Sequence, residues 1–167
     1  GGGVYCYTSS TKTVSFTNVT VLGNSTALQG GGLANSGCTV NLKNTLVANN
    51  IGTHPDLSGT FNSQDYNLVE STTGATFTGT TTNNITGQDP LLNALADNGG
   101  PTQTFSLKDF SPAADQIPDG ALTVTTDQRG MPRKFNSLDN GKDNYSDIGA
   151  FEAQTVLPVE ISAFAIE

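Results

Sequence analysis

The sequence predicts an all-β chain wound as a parallel β-helix of a few turns, followed by an irregular, turn-rich C-terminal cap. Three observations predict it. A segment near the N-terminus repeats after 26 to 29 residues. Inside each repeat, apolar and polar residues alternate with the period of a half-buried strand. The composition also favours strands and turns over helices: 19 glycines in 167 residues, where ~7% is usual, and only 13% charged residues, where ~25% is usual.

The repeat is explicit in the residues. Gly1-Gly2-Gly3-Val4-Tyr5 recurs as Gly30-Gly31-Gly32-Leu33-Ala34, a shift of 29. Thr13-Val14-Ser15-Phe16-Thr17-Asn18 recurs as Thr39-Val40-Asn41-Leu42-Lys43-Asn44, a shift of 26. The difference falls between the glycine run and the strand, where a loop of variable length belongs. Val14 and Phe16, and after them Val40 and Leu42, supply the inward residues of one strand. Val19 and Val21, then Leu46 and Val47, follow the Asn corner. Asn18 over Asn44 and Asn24 over Asn50 are expected to stack as side-chain amide ladders. A leucine-rich repeat would need a closely spaced leucine framework, which this chain lacks. Residues 1–54 thus read as repeat turns. Gly1 falls inside a repeat, so further turns of the same polypeptide are expected upstream, covering an edge otherwise open to aggregation.

From Pro55 the repeat loosens. Asp56-Leu57-Ser58-Gly59 and Tyr66-Asn67-Leu68-Val69 are expected as strands of a third turn, and the Thr-rich stretch around Phe77 as a strand with an exposed loop. Asp89-Pro90-Leu91-Leu92 predicts a short helical turn, with Asp as N-cap and Pro at the first helical position. Asn98-Gly99-Gly100-Pro101 predicts a tight turn, and Ser111-Pro112-Ala113-Ala114-Asp115 a single Pro-led turn. Thr102 to Leu107, Asp147 to Glu152 and Val156 to Ile166 are further strand candidates. Residues 55–153 form the last turn and cap, which a solenoid requires over its terminal edge. Residues 154–167 read as a C-terminal strand or linker.

Charge excludes some partners. Seven Lys plus Arg against 15 Asp plus Glu give a net charge of −8. That leaves no cationic surface for nucleic acid and disfavours an anionic membrane. The apolar stretch Val156 to Ile166 is broken by Pro158 and Glu160 and is too short to span a bilayer, so no membrane insertion is expected. Cys6 and Cys38 allow one disulfide in an oxidising compartment; two unpaired small hydrophobes are the alternative. They are not spaced as metal ligands, and the lone His54 has no partner for that purpose.

The second half resembles a known family. Asp56-Leu57-Ser58-Gly59, Tyr66-Asn67-Leu68, Asp89-Pro90-Leu91-Leu92 and Leu95 to Thr104 occur in order. Ser111-Pro112-Ala113-Ala114-Asp115, Thr126-Asp127-Gln128-Arg129-Gly130 and Asp147-Ile148-Gly149-Ala150-Phe151-Glu152 follow them. This series is similar to the choice-of-anchor Q domain of bacterial secreted β-helix proteins, over roughly residues 55 to 153. The preceding repeats are similar to the right-handed parallel β-helix of those proteins. The tail Val156-Leu157-Pro158-Val159-Glu160-Ile161 resembles the segment that precedes a type IX secretion sorting domain in Bacteroidota. The resemblance implies an exported protein of the outer cell surface or extracellular space. It attaches no catalytic activity to the domain, so no active-site residues carry over and no cofactor is implied.

The cap holds the residues with the most chemistry. Arg129 stands in a chain poor in cations, 18 residues before Asp147 and 23 before Glu152. A guanidinium fork binds a carboxylate bidentately while also reaching loop carbonyls. A structural cluster of Asp127, Arg129 and Asp147 pinning the cap is therefore expected. Asp139, Asp143 and Asp147 place three carboxylates at four-residue spacing in a turn-rich loop, a donor set suited to Ca²⁺. Asp127, Asp147 and Glu152 also contain the raw material for a glycosidase carboxylate pair. Tyr5, Tyr7, Tyr66 and Tyr145 are candidate sugar contacts.

The leading expectation is a non-catalytic, adhesin- or matrix-like capping region that meets glycans or other cell-surface components. The C-terminal part of a polysaccharide lyase or hydrolase with upstream catalytic turns is one alternative. A self-assembling extracellular filament subunit is the other.

Overall fold

The computed structural model describes residues 1–8, 10–135 and 145–154. Among the described residues, ten short strands make up the regular structure: β1 (Val4–Tyr7), β2 (Thr13–Thr17), β3 (Thr20–Leu22), β4 (Leu33–Ser36), β5 (Thr39–Lys43), β6 (Leu46–Ala48), β7 (Leu57–Gln64), β8 (Leu68–Val69), β9 (Ala75–Thr80) and β10 (Ile85–Thr86). The one helical element among the described residues is a single 3-10 turn, Asp119–Ala121. The fold is all-β, and every pairing between these strands is parallel.

The strands lie in three stacks whose register is that of the sequence repeat. Val4 lies beside Leu33, the shift of 29. Val14 lies beside Val40 and Phe16 beside Leu42, the shift of 26, and Val21 lies beside Val47. A third repeat continues through β7, whose first residues pair with β4 and whose later ones pair with β5. Gly59 stands where β7 passes from one stack to the next. Its φ of +109 is open to glycine, and a Cβ there would lie 2.3 Å from the carbonyl oxygen of Asn35. β9 then covers β7 from Gly59 to Gln64, and β10 covers β8.

Alternation sorts the side chains. Leu33, Val40, Leu42, Val47, Leu57, Phe61 and Val69 meet between the stacks as one buried cluster. The corners are polar and just as closely specified. Asn18 and Asn44 both adopt left-handed φ, 53 and 52, which Asn tolerates better than most residues. Asn44 Nδ2 donates to Asn18 Oδ1 at 3.4 Å, and Asn24 Nδ2 donates to Asn50 Oδ1 at 3.0 Å. The expected amide ladders are therefore formed. Cys6 of β1 and Cys38 beside β5 are joined in a disulfide, Cα atoms 6.2 Å apart.

The cap departs from expectation in place and in content. It lies along the flank of the β3-β6-β8 stack. Leu46, Ala48 and Leu68 turn away from the interior and are buried beneath Leu107, Ala113, Ile117, Ile148 and Phe151. Gly149 N donates to Asn44 O at 3.0 Å, and Ala150 N donates to Thr20 Oγ1 at 3.0 Å. Strand β9 stays at a sheet edge.

The expected helical turn at Asp89 is absent. Asp89 Oδ1 accepts the Leu91 N–H at 2.8 Å, and Leu91 takes φ +51, so the side chain closes a tight local turn that no helix can follow. Thr102–Leu107 and Asp147–Glu152 form no strands. The first makes isolated antiparallel bridges at Thr104 and Leu107. The second gives its backbone groups to side chains and loops. Val156 to Ile166 lies outside the described residues.

Candidate functional site

Both arginines of the chain, Arg129 and Arg133, tie the cap together. Arg129 is held by its own turn: its N–H donates to Asp127 Oδ1 at 2.8 Å. Its Nε donates to Asp127 Oδ2 at 2.8 Å, and its Nη2 lies 2.7 Å from the same oxygen. The remaining guanidinium hydrogens reach the carbonyls of Asn98 and Glu152, and the group stacks on Phe151 with its carbon 3.8 Å from the ring centroid. Gly100, at φ +113, lets the Asn98–Pro101 turn touch this arginine; a Cβ there would lie 2.8 Å from Arg129 Cα. Asp127 also accepts the N–H groups of Met131 at 3.0 Å and Glu152 at 3.1 Å.

Asp147 is not a partner of Arg129, which corrects the expected trio. Its two oxygens accept the backbone N–H groups of Asp115 at 2.8 Å and Ala153 at 2.7 Å. The second arginine joins it to the cluster. Arg133, 4% exposed, donates to the carbonyls of Thr126, Asp147 and Gly149. It lies 3.4 Å from Glu152 Oε2, which also accepts the Asp147 N–H at 3.0 Å. The reason is geometric: irregular chain leaves carbonyls unpaired, and a five-donor fork can serve three of them at once. Sequence reasoning passed over Arg133, although it was the only other arginine and lies four residues beyond Arg129.

Burial dominates the electrostatics here. Desolvation raises Asp147 to about 7, against the stabilising hydrogen bonds from Ala153 and Asp115. Desolvation, aided by the charge of Asp147, raises Glu152 to about 9. Desolvation also lowers Arg133, opposed by Glu152, Asp127 and Asp147. The Asp147 and Phe135 backbone N–H groups and Arg133 work against this rise in Glu152, and burial outweighs them.

Asp127, Asp147 and Glu152 are all buried, and of the three only Asp127 lines the hollow of 390 Å³ that it shares with Gln128 and Arg133, so that hollow does not present them as a glycosidase pair. Of the proposed calcium ligands, Asp139 and Asp143 lie outside the described residues, and both oxygens of Asp147 are taken by backbone amides. Among the described residues no group of three His, Cys, Asp or Glu could hold a metal ion. No helix among them is long and apolar enough to cross a membrane.

A separate hollow lies on the outer face of the stack β1-β4-β7. It has a volume of 660 Å³. Tyr5 lies beside Ala34, which lies beside Ser58, in register on three neighbouring strands. The wall carries Leu28, Gln29 and His54. His54 Nδ1 is 3.0 Å from Ser58 Oγ, and Ser58 Oγ is 3.3 Å from Gln29 Oε1. Of the tyrosines noted in the sequence, Tyr5 lines this groove, and Tyr66 and Tyr145 line a smaller hollow of 370 Å³ beside the cap. His54, Ser58 and Gln29 were missed because residues 25 and 29 apart meet only once the repeat is stacked.

Comparison of the chain with protein-family models, with curated proteins and with solved structures returns no match.

Proposed function

We propose that this chain is the C-terminal, non-catalytic end of a right-handed parallel β-helix in an exported surface protein, adhesin- or matrix-like, and lies next to its anchoring or sorting signal. One observation carries the reading. β1, β2 and β3, the strands of a single repeat, each stand at the edge of their stack. Three parallel edges at one level form a template that another turn of the same kind satisfies. The opposite half of the chain stops repeating and folds instead along the flank, as a closing segment would. The disulfide supports an oxidising environment. The motif series of residues 55 to 153 supports a choice-of-anchor Q domain, and the tail supports a type IX sorting context.

A tandem copy tests the template. Ten residues, 23–32, join β3 to β4. Placing a second copy of residues 1–29 ahead of Gly1 reproduces that connection, with seven residues (23–29) followed by three (1–3). The extended protein is expected to melt at a higher temperature and to resist protease along the added segment. An unchanged melting temperature, with the added segment digested as a loose tail, refutes the reading.

The open edges also favour a second reading, a subunit that assembles end to end, whose consequences belong to the whole molecule.

A further inference from the structure

We propose that the groove on the outer face of β1, β4 and β7 binds a neutral oligosaccharide, laid across the strands and seated on Tyr5. The inference deepens the surface-protein reading but stands on its own geometry.

The lining favours neutral ligands. Among the described residues no Lys, Arg, Asp or Glu side chain borders the groove, and a protein of net charge −8 repels polyanions at longer range. The remaining lining chemistry suits sugar hydroxyls. Gln29 Oε1, Ser58 Oγ and His54 Nδ1 are linked in one chain of hydrogen bonds. That chain fixes the far edge of each side chain and leaves the Gln29 amide hydrogens and His54 Nε2 without a partner among the described residues. An amide and an imidazole held in this way offer both donor and acceptor to a hydroxyl pair. Asn35 is different: its amide is spent on Cys38 and Thr60, so it shapes the floor rather than binding.

The groove also has a platform and a matching step. Tyr5 is 56% exposed, an aromatic face left in water at the end of a row of small residues. Aromatic faces take the apolar C–H side of a pyranose ring, while the phenol stays hydrated. The row Tyr5, Ala34, Ser58 advances one strand at a time, about 4.8 Å per step, close to the length of one sugar ring in a glycan chain. The small side chain of Ala34 keeps the middle of the groove open. The volume of 660 Å³ falls inside the ~300–1,000 Å³ usual for small-molecule sites.

Four neutral hexasaccharides (cellohexaose, laminarihexaose, xylohexaose and mannohexaose) serve as probes, with a hexamer of galacturonic acid alongside. Binding is followed by tyrosine fluorescence and by titration calorimetry. At least one neutral probe is expected to bind with a Kd between ~10 μM and ~1 mM, and the acidic hexamer about tenfold more weakly or not at all. Tyr5→Ala and Gln29→Ala, both at exposed positions, are each expected to weaken it about tenfold at an unchanged melting temperature. The proposal is overturned if none of the four neutral probes binds by ~5 mM, if binding survives both substitutions intact, or if the acidic hexamer binds as tightly. Such a failure leaves the tandem-copy experiment unaffected, so the two ideas fail separately.

Discussion

Arg129 shows how much one side chain can fix when the chain around it is irregular. Its guanidinium has an ion pair, two loop carbonyls and an aromatic face, so no smaller cation replaces it. Arg129→Lys keeps the charge but loses the fork and the flat stacking on Phe151. It is expected to lower the melting temperature clearly, and Arg129→Ala to lower it further, with a stability loss of about 3–5 kcal/mol, because Asp127 is left buried without its counter-charge. An unchanged melting curve for Arg129→Lys would show that the fork geometry is irrelevant. The carboxyls beside it set an unusual pH response. Asp147 rises from 3.8 to about 7 and Glu152 from 4.5 to about 9 on folding. The folded state therefore holds more protons than the unfolded chain between these values. Stability must fall as pH rises across that window, from about 4 to about 9, opposite to a chain whose carboxylates are stabilised by folding. Thermal denaturation at pH 5 and pH 9 measures it, with the lower midpoint expected at pH 9. Glu152→Gln keeps the shape and removes one titrating group, so its decline should be shallower, which separates this cluster from general charge repulsion.

At the scale of strands and corners, the sequence carried the repeat almost completely, because a stacked fold writes its register as a fixed spacing. The shifts of 29 and 26 are the pairings of β1 with β4 and of β2 with β5, and both Asn ladders follow from them. What spacing could not reveal was the cap. There, side chains replace strand ladders: Asp89, Asp127 and Asp147 bind backbone N–H groups, so alternation no longer reports structure, and Thr102–Leu107 reads as a strand without being one. Nor could spacing show that Leu46 and Ala48 face outward under the cap while Val47 faces inward, since all three are apolar. The disulfide adds a constraint between repeats. It ties edge strand β1 to the next repeat across 32 residues, a loop whose closure is worth about 3–4 kcal/mol in the chain-entropy account. Changing Cys6 and Cys38 together to Ser is expected to cost about that much, with amide exchange rising first in β1. Gly59→Ala tests the corner of β7. A Cβ 2.3 Å from the Asn35 carbonyl at φ +109 forces the backbone apart, so a loss of several degrees or more is expected, whereas Gly87→Ala, with open space around it, should carry only the smaller strain of positive φ.

Taken whole, the molecule has two unlike ends joined by three stacks. One end presents β1, β2 and β3 unpaired; at the other, β9 and β10 are last in their stacks. Unlike ends that match in strand direction make a head-to-tail contact, and such contacts propagate into filaments unless something closes them. The composition moderates this tendency. Thr76, Thr78 and Thr80 of β9 are exposed and polar, so little apolar area is gained at that end, and the net charge of −8 opposes close approach. The contact should therefore be weak and should strengthen with salt, as screening shortens the range of the repulsion. The backbone names the residue that controls it. Asn18 N donates to Lys43 O, and Thr39 N donates to Lys12 O. In a parallel ladder this phase turns the even-numbered residues of β2 toward β5 and leaves the N–H of Ser15 on the open side. Ser15→Pro removes that donor and no backbone ladder bond inside the molecule, costing only the exposed side-chain bond from Asn41 Nδ2 to Ser15 Oγ. Sedimentation of the unaltered protein is expected to show reversible association that grows with concentration and with salt. The proline variant should stay monomeric, with its β-structure intact by circular dichroism. Association that weakens with salt, or that the proline leaves untouched, would place the contact away from these edges and leave the end-to-end reading without support.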